Sequence, residues 1–437
     1  MVEKKYDVVI VGGGITGTAL FYMLAEYTDV ERIALVEKYS EVAAVNSHHT
    51  NNSHTLHYGD IETNYSREKA EKVKGAAEMV ANYVEENGGH LFNKTKKMVL
   101  GVGEEEVKKL EERHSTIKDL FPDLYKADRE DLKEIEPNVV KERDPEEDVM
   151  ALVSPHGYAI NYKALAESFA KKADEHDSHT DLYLGEEVLD IDKEGNYMVE
   201  TEDHTLNSDA VVVSAGSHSL EFAQDLGYGE HLSVLPTQGD FWKADKALNN
   251  KVYMVQMDKL PFAAVHGDPD VVNPDQTRFG PTARVMPVLE RRNLKTFIDF
   301  FKVFKPTPST LATIFNIVAD WDIFKFIMRN FVYDIPVIGK WEFMKNVRKI
   351  IPSMEMSDLE HGTGLGGLRP QIIDTEKKDM VMGEAKIVGD DIIFNMTPSP
   401  GASVCLKNAE KDAEKVVEFL DGEYSFDRDR LEEDLKT

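Results

Sequence analysis

Two residues late in the chain have the type and the setting to act on a small acid. His266 follows a strand-like run and precedes Gly267, a position suited to presenting an imidazole in a cleft. Imidazole titrates near neutrality, so as a free base it can take the proton of a hydroxyl. Arg369 lies in Gly362–Gln371, GTGLGGLRPQ, after a glycine-rich approach and before a proline. A guanidinium held that rigidly can meet a carboxylate through two parallel hydrogen bonds. Arg278 and Arg284 flank Gly280-Pro281-Thr282 in the segment Leu260–Met286, which also holds His266. The plainer reading of that segment is a hairpin turning at Asp268-Pro269 and Asn273-Pro274, and the plainer reading of Arg369 is a cap on a neighbouring loop. Hairpin and site are compatible, since loops on a rigid sheet supply many sites.

Asn46–Asp60, NSHHTNNSHTLHYGD, adds His48, His49, His54 and His57. Metal binding would need two or three imidazoles to converge, with no cysteine or acidic helix motif to help. A polar loop lying along a dinucleotide, with Ser53 and its neighbours donating hydrogen bonds, accounts for the composition better. No metal site is expected, and His57 remains within reach of a substrate.

These residues need a scaffold and a reagent, and Tyr6–Glu37 provides for both. Val8–Val11 is a β-branched run suited to a strand buried on both faces. Gly12, Gly14 and Gly17 complete a G-x-G-x-x-G pattern where that strand should pass into a helix. They allow a tight turn, close approach of backbone to a pyrophosphate, and close packing of helix on strand. The helix N-terminus offers free N–H groups to the phosphates. Ile33–Val36 reads as the second strand, and Glu37 stands where an acid can hold ribose hydroxyls. Alone, this motif predicts an adenine dinucleotide of either kind. No second fingerprint follows, while Ser214-Ala215-Gly216-Ser217 and Thr397–Ser403 each form a small-residue turn at the end of a strand. The C-terminal turn, including Pro400, Gly401, Ala402 and Ser403, can face an anion or a flavin edge. Together these choose FAD.

The chain of 437 residues has room for two or three domains and a large core. With Cys405 as the only cysteine, an internal disulfide, a Cys-ligated cluster and a c-type haem are excluded. The net charge of −29 argues against nucleic acid as a partner. It fits either a salt-adapted surface or ordinary acidic variation, with the lean toward salt adaptation. The first strand begins near residue 1 and no long apolar run follows, so a cytoplasmic protein without a membrane span is expected. Helices are expected at Ser66–Asn87, Gly157–Ala173, His218–Leu226 and Val404–Leu420. From Arg291 to Lys349 the composition shifts: eleven basic residues stand against five acidic ones, among many phenylalanines. Pro306 and Pro308 should break this stretch into two short helical pieces. It reads either as a bilayer-interface element, centred on Arg291–Arg329, or as a helical subdomain with ordinary surface lysines.

With those residues placed, the chain resembles the FAD-dependent malate:quinone oxidoreductases nearly end to end. The likeness runs through the N-terminal fingerprint with Glu37, Asn52–Tyr65 (NSHTLHYGDIETNY) and Phe262–Asp270 (FAAVHGDPD). It continues through Phe279–Ala283 (FGPTA), Gly367–Gln371 (GLRPQ) and Phe394–Ser403 (FNMTPSPGAS). The resemblance implies an α/β fold: a Rossmann-like FAD-binding domain of the glutathione-reductase/D-amino-acid-oxidase type, with an interleaved α+β substrate domain. Residues 1–90, 155–235 and 355–437 are assigned to the first, and 91–154 and 236–354 to the second. The implied activity is oxidation of (S)-malate to oxaloacetate, with electrons passing through FAD to a quinone, by an enzyme peripheral on the cytoplasmic face of a membrane. In that scheme Arg369 clamps one carboxylate, Arg278 or a loop histidine such as His57 takes the other beside Thr282, and His266 accepts the hydroxyl proton. The L-2-hydroxyglutarate dehydrogenases share a comparable His-Gly, Gly-Pro and Gly-Leu-Arg-Pro pattern and are the alternative.

Overall fold

Three elements carry the N-terminal fingerprint: β1 (Val2–Val11), α1 (Ile15–Tyr27) and β2 (Arg32–Glu37). The computed structural model describes residues 2–176, 179–257, 264–381, 385–396 and 400–436. Leu260 to Ala263 of the His266 segment and Thr397-Pro398-Ser399 of the C-terminal turn lie outside the described residues.

Val8, Val9 and Ile10 have no exposed surface, because β1 sits inside its sheet with both faces covered. It runs parallel to β2 on one side and to His204–Val213 on the other. Beyond β2 lies His179–Leu184, and beyond His204–Val213 lies Ile392–Asn395, both parallel. Lys386–Val388 closes that far edge antiparallel. α1, Tyr162–Asp174 and Cys405–Phe419 cover one face in a single apolar cluster. The hairpin Val188–Glu194/Asn196–Thr201 and the helix Ser219–Asp225 share the cluster on the other. Parallel strands covered on both faces with a ligand edge at their carboxyl ends make this a doubly wound α/β sheet.

A second sheet of eight strands runs in the order Glu360–His361, Trp242–Asp245, Gln276–Gly280, His266–Pro269, Lys251–Met254, Phe92–Val102, Val149–Ile160, Tyr125–Ala127. All its pairs are antiparallel except Lys251–Met254 with Phe92–Val102. Between the two sheets, Arg284–Val285, Leu232–Gln238, Leu368–Asp374 and Asp379–Met380 form a third. Sheet membership departs from the expected domain boundaries in two places. Residues 155–160 finish a strand of the second sheet, and Glu360–His361 forms its edge.

Two helix expectations are also corrected. The chain is still a strand at Gly157, where a Cβ would meet Thr95 O at 2.5 Å, and the helix begins at Tyr162 under an Asn161 cap. That glycine marks close strand pairing rather than a helix entry. The aromatic, basic stretch folds as four helices rather than two: Phe297–Phe304, Pro308–Ala319, Trp321–Tyr333 and Ile338–Ile350. Thr307 caps the second of these, with Pro308 at its first position, and Asp320 caps the third. Each cap satisfies orphan N–H groups that would otherwise favour one longer run.

The turn between β1 and α1 is fixed by two short approaches. Gly12 has φ +105°, and a Cβ there would lie 2.6 Å from Ser214 O. A Cβ on Gly17 would lie 1.9 Å from Gly12 O, inside any contact distance. Gly14 differs, since a Cβ there would find only Ser47 Oγ at 3.6 Å. Gly17→Ala is therefore expected to cost the fold, and Gly14→Ala to melt near the wild type yet carry less dinucleotide. Thermal denaturation and cofactor content of the two purified variants check this. Equal cofactor loading of Gly14→Ala and wild type would show that no ligand backs onto Gly14.

Candidate active site

A cavity of about 610 Å³ opens where the parallel strands end. Gly12, Gly14, Ile15 and Thr16 line it at the first turn. Gly14 caps α1 with no side-chain hydrogen bond, and the Ile15 N–H donates to Ser47 Oγ at 2.9 Å. Glu37 lines the cavity at the end of β2, its carboxylate accepting the N–H groups of Gly13 (2.7 Å) and Tyr39 (2.9 Å). Burial pushes that carboxyl above its ordinary value, with the two backbone bonds opposing. Ala215 and Gly216 border the cavity after His204–Val213, as do Pro400, Gly401, Ala402 and Ser403 before Cys405–Phe419. Ser53 joins them from the polar loop. A long cleft with backbone turns along one side and an acid at one end suits a dinucleotide.

The other end of the same cavity holds the charged chemistry. Arg369 sits on Leu368–Asp374 beside Gly367 and Leu368, which also line the cavity. Gly366 donates its N–H to Thr50 O at 2.7 Å, and the Leu368 N–H donates to Asn46 Oδ1 at 3.1 Å. A Cβ on Gly367 would meet Asn51 O at 2.3 Å, so the glycine run lets this strand dock on the polar loop. Among the described residues, none forms a hydrogen bond or ion pair with the half-buried Arg369 guanidinium. Burial pulls its pKa down, though a guanidinium stays protonated at any working pH. His57 borders the cavity too. Its N–H donates to Ser403 Oγ (3.0 Å), and its Nδ1 lies 2.5 Å from Glu62 Oε1.

Three residues read from the sequence as substrate-facing do not border the cavity. His266 is fully buried, stacked on Tyr253 with ring centroids 4.2 Å apart and edge-on to Phe241. Its Nδ1–H donates to Ala264 O at 3.1 Å, and burial pushes the imidazole down to about 3, so it stays neutral. Its Nε2 lies 3.5 Å from Asp268 Oδ1, and neither atom has a hydrogen-bond partner among the described residues. Arg278, also fully buried, donates to Asp268 (2.7 Å), pairs with Asp270 (3.2 Å) and reaches Asn52 O (3.3 Å). Protein carboxylates and carbonyls occupy it, whereas Arg369 has no such partner among the described residues. Thr282 exchanges hydrogen bonds with the backbone of Asp240, and its neighbour Pro281 is the residue that reaches the cavity wall. Gly17 supports the turn from behind.

The histidines of the polar loop go separate ways. His48 and His49 stack on each other, His54 is buried against Arg278, and His57 faces Glu62. Among the described residues, no group of three or more His, Cys, Asp or Glu could hold a metal ion. Sequence reading missed Glu62, Lys251, Lys97 and Asn46. For Asn46 no local signal exists, since its side chain acts 322 positions away.

The family model for malate:quinone oxidoreductase matches residues 4–411 of this chain. A probable malate:quinone oxidoreductase of Campylobacter jejuni is 40% identical across 98% of this chain and 99% of its own length. A malate:quinone oxidoreductase of Helicobacter pylori is 40% identical across 99% and 98%. The dithionite-reduced, FAD-bound L-α-glycerophosphate oxidase of Mycoplasma pneumoniae superposes with a TM-score of 0.67 at 19% identity, covering 95% of each chain. That last likeness is one of fold. The near-complete family match, over a cavity built from the same segments, places this chain in the malate:quinone oxidoreductase family.

Proposed function

We propose that this protein oxidises (S)-malate to oxaloacetate with FAD as its resident cofactor and a quinone as the final electron acceptor. One observation carries the substrate class: Arg369, a guanidinium with no hydrogen bond or ion pair among the described residues, borders the cavity that also takes the glycine turn. Leaving such a cation half-buried without a partner is costly unless an anion completes it. A dicarboxylate completes it with two parallel hydrogen bonds.

The residues present fit FAD. Gly14 and Thr16 at the start of α1 would take the phosphates, and Glu37 the adenosine ribose. Ser53, Ala215, Gly216 and the Pro400–Ser403 turn would line the rest. When bound, FAD supplies a two-electron acceptor for a hydrogen leaving carbon with its electron pair. The protein's part is to fix one carboxylate at Arg369, hold C2 against the cofactor and remove the hydroxyl proton. L-2-Hydroxyglutarate, one methylene longer, presents the same head group, so the choice between the two acids rests on cavity length. Bleaching of the purified yellow protein by a panel of 2-hydroxy acids decides it. Malate is expected to bleach it and a soluble quinone to restore the colour; bleaching by 2-hydroxyglutarate alone would transfer the activity. Arg369→Ala should lose a charge-assisted pair of roughly 2–5 kcal/mol, about thirtyfold or more in apparent KM for malate, with FAD content unchanged. An unaltered KM would remove Arg369 from the site.

The same reading includes a membrane contact through Arg291–Arg329 and the helix that follows. Phe315, Trp321 and Phe331 are 72%, 63% and 65% exposed, and Ile298, Val337 and Trp341 also face outward. Exposed apolar surface on that scale marks an interaction face rather than scattered solvent-facing residues. Lys325 and Lys345 lie over Trp321 and Trp341, at 5.2 and 4.1 Å from the ring centroids, as amphipathic side chains do at a headgroup layer. Among the described residues no helix is long and apolar enough to cross a bilayer. Changing Phe315, Trp321 and Phe331 together to serine should abolish co-sedimentation with phosphatidylglycerol vesicles while malate still bleaches the flavin. Undiminished sedimentation would place the contact elsewhere.

A further inference from the structure

We infer that His57, oriented by Glu62, is the group that takes the hydroxyl proton of the substrate. This inference rests on the 2-hydroxy acid reading above. The role needs an imidazole that borders the cavity, carries a free nitrogen and has its other nitrogen anchored. His57 meets all three conditions. It lines the cavity with Arg369 and with Ser403 of the C-terminal turn, whose Oγ accepts the His57 N–H at 3.0 Å. Its Nδ1 is 2.5 Å from Glu62 Oε1, and among the described residues nothing bonds Nε2. Glu62 is buried. Burial opposes its ionisation, but His57 and Lys97 outweigh that and hold the carboxyl well below its ordinary value. An ionised Glu62 accepts from Nδ1–H, which sets the tautomer and leaves the lone pair on Nε2. The ring is held edge-on to Tyr253, whose hydroxyl meets Thr55 Oγ1 at 2.5 Å.

His266 has an anchored Nδ1 and an unbonded Nε2, but it does not border the cavity. It lies behind Tyr253 and Phe241, has no exposed surface, and faces Asp268 with Nε2.

The step balances without a further reagent. The O–H bond of the substrate breaks and its proton goes to His57 Nε2. The C2–H bond breaks and its hydrogen leaves with both electrons, for which a bound FAD would be the acceptor. The oxygen's freed pair closes the C2=O bond. The acid is oxidised by two electrons, which a bound FAD would take up, and His57 becomes an imidazolium beside the Glu62 carboxylate. Glu62 is thus a positioning residue, and His57 a catalytic one.

The experiment is anaerobic stopped-flow bleaching of the holoenzyme by malate, alongside FAD content and the binding of succinate, which carries both carboxylates but no hydroxyl. His57→Ala is expected to keep FAD and succinate binding, lose roughly a hundredfold or more in bleaching rate, and regain part of it when imidazole is added. His57→Asn, whose amide can still donate to Glu62, should show the same loss and guards against a folding failure. Glu62→Gln should lower the saturating rate without changing the half-saturating malate concentration, and Glu62→Asp should recover part of it. Bleaching of both His57 variants within about threefold of wild type overturns the inference while leaving malate as substrate. So does a large loss in His266→Gln alone. A wild-type flavin that no 2-hydroxy acid bleaches overturns the substrate reading and this inference together.

Discussion

The segment from Asn52 to Tyr65 has almost no regular secondary structure, yet His54, Thr55, Leu56, Asp60, Ile61 and Glu62 within it are buried. Its carbonyls therefore need partners inside the protein. Four buried cations supply them. Arg278 donates to Asn52 O, Lys251 to Ser53 O at 2.9 Å, Lys97 to Leu56 O at 3.2 Å, and Arg113 to the carbonyls of Gly59 (2.8 Å) and Tyr65 (2.6 Å). Each cation needs an anion in turn. Asp268 serves Arg278 and Lys251, Asp60 serves Lys97 at 2.8 Å, and Glu62 lies close enough to lower the cost for Arg113. Removing one partner from such a set leaves a buried charge and an open carbonyl, a loss on the order of 3–5 kcal/mol. Three of the four cations stand on strands of the second sheet, while Ser403 and Tyr162 tie the same segment to the dinucleotide side. The wall that carries His57 is thus pinned by buried charges as well as by the short backbone bridge of Thr55 to Ala159.

That arrangement explains which parts of the site could be read from the sequence. The glycine turn was legible because its reasons are local: spacing, a strand before it and a helix after it. Arg369 was legible for a similar cause, since a glycine run and a following proline say that the backbone there must approach another segment closely. His266 and Arg278 were legible as chemistry but not as direction. Strand residues alternate between faces, and only the register decides which face looks at the cavity. Here Asp268 stands directly opposite Arg278 across the strand pair His266–Pro269 and Gln276–Gly280, so the hairpin closes on its own ion pair. The expected turn at Asn273-Pro274, extended back residue by residue, already points to that pairing. Glu62 had no such signal, since an irregular loop has no period from which its facing can be inferred.

Two ligands of this protein are anions by nature, a dicarboxylate and a dinucleotide, while the chain carries a net charge of −29. The conflict is one of range. Beyond a Debye length of about 8 Å at physiological salt, the surface carboxylates are largely screened, and what a ligand meets at contact is the local field. Inside the cavity that field comes from Arg369 and the N-terminal end of α1, while Glu37 at the end of β2 already holds two backbone N–H groups. The same separation of range governs the helical face at 297–350. Its lysines and arginines outnumber its acids, while the reverse holds over the whole chain, so the local field there differs in sign from the net charge.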